Sequence, residues 1–439
     1  MIKDYEKINL EKTMQIFRTV HRMKELPRQG EIFFGMKRTE SDSIASHSFL
    51  VTWMARLLAE NIAPLIFTSL IQSTKFIQDV TYCALVHDVS ESVIGDLYYK
   101  TKDKIKKCIS TNIEEIAINS MAKSIENSAL KDYFNLYESP QTQYDFKIAT
   151  VIKFADGLDA WLHGISTTSA WWPAWENYNR MVHAKIREYE IKGGINSSYV
   201  SNIFRRICDI THYPDFYVKI QQEESILEDT TIIRLVSCFK KMYTLKSLPR
   251  HGFTIFGMKR AETDTFAEHI FTSSFLTFLL SNLLIEDEDD KLIIIERATL
   301  FSLVHDLPSA ISGDVSFDLQ NLIAGWQEIE RAYIFELSGT DTSYADILKK
   351  SYEPKTRVDK IAYSLSKASA LIDSWEMGVT SPSAWKIHWQ DYKEVTLEQV
   401  NNYVPQIGRI AEEACKLLEG KDINDNFLIQ PFRLMSLNL

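Results

Sequence analysis

Cysteine is scarce in this chain: five residues in 439, at Cys83, Cys108, Cys208, Cys238 and Cys415, each standing alone. No C-x-x-C pair occurs, which argues against a disulfide framework and against a cysteine zinc site. Cys83 lies in an apolar helical run and reads as a small core residue. Long apolar runs are missing too, since none approaches the ~20 residues that span a membrane. The opening stretch MIKDYEKINLEKTMQIF is charged and helix-like, without the apolar core and cleavage site of a signal peptide. A cytoplasmic location and no membrane partner are therefore expected. Proline is also sparse, with 11 residues, and no low-complexity linker appears. Positive charge is in deficit. The formal net charge of −10 argues against the chain as a whole coating an extended nucleic acid. A small phosphorylated ligand remains possible, because a few local Lys or Arg suffice for it.

What is present is the profile of a folded globular protein, with 45% apolar and 25% charged residues. At 439 residues the chain is too long for one core and fits two domains. Comparing the sequence with itself gives their origin. KELPRQGEIFFGMKRTESDSIASH, ending at His47, recurs without a gap as KSLPRHGFTIFGMKRAETDTFAEH, ending at His269. ALVHDVSESVIGD (84–96) pairs with SLVHDLPSAISGD (302–314), and KFADGLDAWLHGISTTSAW (153–171) with KASALIDSWEMGVTSPSAW (367–385). Three blocks in one order mean two copies of one fold. The junction is expected near residues 215–230, where the apolar periodicity breaks, giving domains 1–220 and 221–439. Close packing of the copies as a pseudo-symmetric pair is expected, within a monomer or a homodimer.

Helical periodicity runs through nearly the whole chain, so the expected fold is all-α. Ser43 reads as an N-cap, after which Ile44, His47, Val51, Met54 and Leu58 recur at spacings of three and four. TYCALVHDVSESV is expected to be one helix that sets His87, Asp88 and Glu91 on adjoining faces of a turn. Ile148, Ile152, Asp156, Asp159 and Leu162 share a face of a third helix. Two histidines and two acids on three helices thus face the interior, where an unpaired carboxylate is costly. A single divalent ion resolves this, and imidazole with carboxylate suits Mn, Co, Fe, Ni or Zn. A lone inward histidine more often is a core residue with its hydrogen bond satisfied. It is the order, helical phase and duplication of the set that favour metal binding. Trp161, Trp171, Trp172 and Trp175, echoed by Trp375, Trp385 and Trp389, read as packing residues before base-stacking ones.

The series His47, His87-Asp88, Asp156 resembles the H…HD…D signature of HD-domain phosphohydrolases. More narrowly, L-P-R28-x-G, R38-T-E, S-x-H47, V-H-D-x-S-E91, G-D96 and K-x-A-D156 resemble the 5′-deoxynucleotidase branch. The resemblance covers residues 15–180 and, more loosely, 235–395. It implies metal ligands at His47, His87, Asp88 and Asp156, a catalytic acid at Glu91, a phosphate-gripping Arg28 and a sugar-side Asp96. Lys102, in the basic run YYKTKDKIKK, is the nearest match to a phosphate lysine, although that run reads equally as a solvated helix face. Asp159 is a second candidate for the ligand place given to Asp156. Gln29 stands where the family often has a bulky aromatic, which leaves the preference between deoxyribose and ribose open.

In the second copy Arg250, His269, His305 and Asp306 are retained, whereas Ala370 replaces Asp156 and Ser309 replaces Glu91. No lysine follows its G-D turn. That copy is expected to be a poor catalyst or none, serving as scaffold, as a weak metal site with help from Asp373, or as a regulatory nucleotide site. The resemblance implies release of phosphate from (deoxy)nucleoside 5′-monophosphates. Triphosphate or cyclic-nucleotide cleavage, and nucleotide sensing with vestigial catalysis, stay as alternatives.

Overall fold

The computed structural model describes residues 2–3, 8–33, 35–109, 112–166, 172–195, 199–211, 236–239, 241–315, 317–338, 343–381 and 384–419. Among these residues there is no β-strand beyond isolated bridges, and the fold is all-α. The expected junction at 215–230 lies outside the described residues, as does Trp171.

The chain divides into two compact units, one of residues 23–119 and 128–240, the other of 1–22, 120–127 and 241–439. The first unit is built on three long helices, Ile44–Ile66, Leu70–Val86 and Gln143–Ser166. Ile44–Ile66 starts where Ser43 Oγ accepts the Ser46 amide at 3.1 Å, satisfying one of the free donors of a helix start. By length and composition alone this helix is apolar enough to cross a membrane, yet most of it is buried inside its unit. The L-P-R segment runs back along its first turn. Pro27 bridges Ser43, Arg28 N donates to Asp42 O at 3.0 Å, and Ile44 N donates to Leu26 O at 2.9 Å. This pairing holds Arg28 beside the His47 turn. The second unit repeats it with Pro249 and Thr265, Arg250 N to Asp264 O at 3.0 Å, and Phe266 N to Leu248 O at 3.1 Å.

Glycine sets how closely the next helix approaches. A Cβ on Gly157 would lie 2.2 Å from Val182 Cγ1, and one on Gly164 would lie 2.4 Å from the Trp175 ring. Helix Trp172–Gly193 therefore packs directly on Gln143–Ser166. In the second unit Gly378 gives Trp389 the same seat, with a Cβ there 2.5 Å from the ring. Trp161, Trp175, Trp375 and Trp389 are all buried, as packing residues should be, while Trp385 is exposed.

The second unit includes the first helix of the chain. Leu10–His21 is capped by Asn9, whose side chain accepts the Lys12 amide at 3.1 Å. Its Leu10, Met14 and Phe17 join a core with Phe253, Leu276, Leu371 and Ile410. Arg18 donates to both oxygens of the buried Glu376, at 2.7 and 2.9 Å, and His21 Nε2 stands 3.5 Å from Asp373 Oδ1.

Candidate active site

In the first unit the three long helices deliver their polar residues to one point. His47, His87 and Asp156 each offer a ligand atom, all within 4.8 Å of one another. Nε2 of His47 stands 3.4 Å from Asp156 Oδ1 and 3.5 Å from Asp88 Oδ2; Nε2 of His87 stands 3.2 Å from the same Asp88 oxygen. Both Nε2 atoms are buried and make no hydrogen bond. Two orphaned imidazole nitrogens facing two carboxylates are costly without a cation, so the donor set fits a divalent metal. The opposite nitrogens are fixed. His47 Nδ1 lies 2.5 Å from Asp159 Oδ2, and His87 Nδ1 lies 2.6 Å from Ala84 O. Asp159 therefore sits behind the His47 ring, orienting it in the manner of the outer carboxylates of many metal sites. Asp156 is on the ring's Nε2 side with His87 and Asp88.

The HD turn departs from the single helix expected over TYCALVHDVSESV. The helix stops at Val86 and resumes as Glu91–Ile94. Between them Val89 N bonds Val86 O and Glu91 N bonds Asp88 O, a tightened i,i+3 pattern. Gly95 then closes the turn at φ +76°, a backbone that side chains strain to adopt. The tightening turns Glu91 inward, where it is buried. Lys102 Nζ is held between Glu91 Oε1 at 2.8 Å and Glu114 Oε1 at 2.6 Å. Arg28 is buried with Nη2 3.9 Å from Asp156 Oδ1 and Nε 3.9 Å from Glu31 Oε1, and its Nε and Nη1 make no hydrogen bond. Asp96 accepts the backbone amide of Gln29 at 2.7 Å, tying the G-D turn to the residue after Arg28. All eight residues singled out from the sequence thus belong to this one unit. Glu114 and Lys153, which bonds Asp156 Oδ2 at 2.7 Å, are further members. Lys153 stands in the K-x-A-D block itself; nothing in the local pattern around Glu114 points to the site.

Charges in the cluster shift one another. Burial and nearby Asp88 raise the Glu91 carboxyl well above its ordinary value, against the pull of Lys102. Burial would raise Asp156 as well, but Lys153, His47 and Arg28 overcome it and hold that carboxyl well below the usual range. Two acids near one point are thus shifted in opposite directions, which is a frequent mark of catalytic sites.

The second unit keeps part of the arrangement. His269 Nδ1 lies 2.6 Å from Asp373 Oδ2, and Thr272 Oγ1 donates to Asp373 Oδ1 at 2.6 Å. Asp373, like Asp159, sits behind the ring. Here, however, Nε2 of His269 and Nε2 of His305 are 3.1 Å apart, within hydrogen-bond distance of each other. Asp306 Oδ2 lies 3.5 Å from His305 Nε2 and 3.7 Å from His269 Nε2. Ala370 brings no oxygen to this group.

Residues 15–197 match the family described as 5′-deoxynucleotidase YfbR-like, and residues 242–408 match the HD domain. The chain belongs to the HD-domain superfamily and carries two such domains in tandem. Among relatives, it is 24% identical to the 5′-deoxynucleotidase HDDC2 of Danio rerio over 150 residues, which is 34% of this chain and 66% of that one. It is 25% identical to the Homo sapiens HDDC2 5′-deoxynucleotidase over 146 residues, 33% of this chain and 62% of that one. The match spans just under two thirds of these relatives. Among solved structures, the PH0347 protein of Pyrococcus horikoshii OT3 is similar at 19% identity, over 42% of this chain and 99% of that one, with a TM-score of 0.34.

Proposed function

We propose that the first unit is a metal-dependent phosphohydrolase acting on (deoxy)nucleoside 5′-monophosphates, releasing inorganic phosphate and the nucleoside. The observation that carries this reading is the pair of buried, hydrogen-bond-free Nε2 atoms of His47 and His87 facing Asp88 and Asp156. His47, His87, Asp88 and Asp156 would hold one divalent ion, with Mn, Co, Fe, Ni and Zn all suited to the donors. The chemistry such an ion would supply there is a more acidic water and a polarised phosphate oxygen. Arg28, buried and with free donors, neutralises charge on the phosphate.

Glu91 takes the proton from the attacking water. A raised pKa makes Glu91 a stronger base than an ordinary carboxylate, and Lys102 moderates that rise. When a phosphate draws Lys102 away, Glu91 loses its nearest cation and becomes a stronger base. Asp96 fixes the residue after Arg28 and faces the sugar side. The nucleotide substrate is supported by the family of residues 15–197 and by the activity named for the two HDDC2 relatives.

Phosphate release from a panel of mono-, tri- and cyclic nucleotides, with Mn or Co supplied, tests the reading. Release from dNMPs is expected, and Glu91→Gln is expected to lower kcat by ~10²–10⁴-fold while circular dichroism stays unchanged. Full activity in Glu91→Gln would remove Glu91 from the mechanism. Release of pyrophosphate or triphosphate with no turnover of monophosphates would overturn the substrate class.

A further inference from the structure

We propose that Phe33 and Tyr98 form a nucleobase platform for the first site and give it a preference for purine over pyrimidine monophosphates. This role rests on the phosphohydrolase reading of the first unit. Phe33 closes the short helix Gln29–Phe33, which begins at the residue after Arg28. Tyr98 stands two residues past Asp96. Its carbonyl accepts the Thr101 and Lys102 amides at 2.7 and 3.2 Å, at the start of helix Tyr99–Ile109. The two rings stack, with centroids 4.6 Å apart and planes 26° from parallel. The pair therefore joins the segment that carries Arg28 to the segment that carries Asp96 and Lys102. Asp96 Oδ2, accepting the Gln29 amide at 2.7 Å, makes a second tie between the same two segments.

The rings could clasp the turn in place, or they could offer a surface to a ligand. The second unit decides between these roles. There Asp314 Oδ2 accepts the Gly252 amide at 2.6 Å, so its G-D turn is tied to its L-P-R segment as well. Yet Ile255 stands at the place of Phe33, and Ser316 at the place of Tyr98. The tie forms without an aromatic pair. Along with the rings the second copy has lost Glu91 and Lys102, to Ser309 and Gln320. The rings thus accompany the residues assigned to the reaction, not those that hold the turn. Exposure agrees, because a clasp gains most from burial and Phe33 keeps 61% of its surface open.

A nucleotide with its phosphate on Arg28 and its sugar beside Asp96 still has its base to place, and the stacked rings border both segments. Aromatic side chains hold bases through their π faces, with no need of hydrogen bonds to the base edge. The two-ring purines present the larger face, so stacking ranks them above pyrimidines.

The test compares dAMP, dTMP and 2-deoxyribose 5-phosphate on the full chain supplied with Mn, by phosphate release and by calorimetry in the Glu91→Gln background. dAMP is expected to exceed 2-deoxyribose 5-phosphate by about tenfold or more in kcat/KM and in affinity, with dTMP between them. The double variant Phe33→Ile, Tyr98→Ser carries the second copy's residues and should bring all three within about threefold. Tyr98→Phe keeps the ring and should keep the ranking. Phe33→Ile alone, at an exposed position, should lower the ratio by about threefold and keeps the test readable if the double variant fails to fold. A clasp would instead lower all three ligands by one factor and leave their ratios as in the parent, which overturns the proposal. Equal values for dAMP and 2-deoxyribose 5-phosphate in the parent, or no binding of dAMP, overturn it too. A dTMP value at or above that of dAMP overturns the purine preference. Base-dependent binding that the double variant abolishes, with no phosphate released from any ligand by the parent, supports the platform and overturns the hydrolase reading.

Discussion

Glu138 lies at the rim of the first site, accepting a hydrogen bond from Asn112 Nδ2 at 3.0 Å. Burial, and then the nearby Glu114, raise its carboxyl to about 7. The sign of the linkage is fixed by that direction. Its ordinary value is 4.5, so its favourable contribution is complete below that pH and is lost as pH rises through about 7. Glu138→Gln should therefore stabilise the fold by roughly 1–2 kcal/mol at pH 8, allowing for screening, and by nearly nothing at pH 4. Urea melts at the two pH values check it, and an equal gain at both would count against it. At this scale much was legible. His47, His87, Asp88 and Asp156 stand out because inward-facing polar residues at apolar helical positions demand an explanation. Glu114 does not stand out, because it meets Lys102 only through the folding of two separate helices, and neither residue interrupts an apolar stripe. The competition between Asp156 and Asp159 was also beyond the sequence. Both lie on one face one turn apart, and only the tilt of the His47 ring decides which nitrogen each one meets.

Helix contacts depend on what is missing from their surfaces. Gly157 allows Val182 to approach the Asp156 helix to a distance that a Cβ would forbid, at 2.2 Å. Valine is stiff at χ1 and cannot easily yield. Gly157→Ala should then cost about 1–3 kcal/mol through overpacking and displace Asp156 from its neighbours. Chemical melts and metal affinity measured together check this, and an unchanged midpoint would show that the helix pair can shift freely. Helical periodicity gave these elements their type, because apolar stripes at spacings of three and four recur along the chain. It could not give the interruption after Val86. A run such as ALVHDVSE carries no proline or glycine at the break, and the i,i+3 bonds that tighten it arise from the turn's own geometry. The glycine that does punctuate the run, Gly95, marks the end of Glu91–Ile94 instead.

For the whole molecule, the repeat order in the sequence and the grouping of elements in space differ. Three matched blocks make the duplication plain, yet residues 1–22 fall in the unit that holds the second copy. No local pattern announces this, since an amphipathic helix does not state which core it will enter. Phe17 is fully buried there. Phe17→Ala should cost about 3–5 kcal/mol, and hydrogen exchange should locate the loss in Arg357–Thr380 while Ile44–Ile66 keeps its protection. Loosening confined to Ile44–Ile66 would contradict this grouping.

Met14 and Phe17 also tie the opening of the chain to the unit that holds the second copy. Deleting that half at the repeat boundary would leave the opening helix with an oily stripe and no seat for it, and would strand the paired charges of Arg18. With the opening helix seated in that core, the second unit cannot be removed without exposing the stripe of Leu10, Met14 and Phe17, whatever its own chemistry.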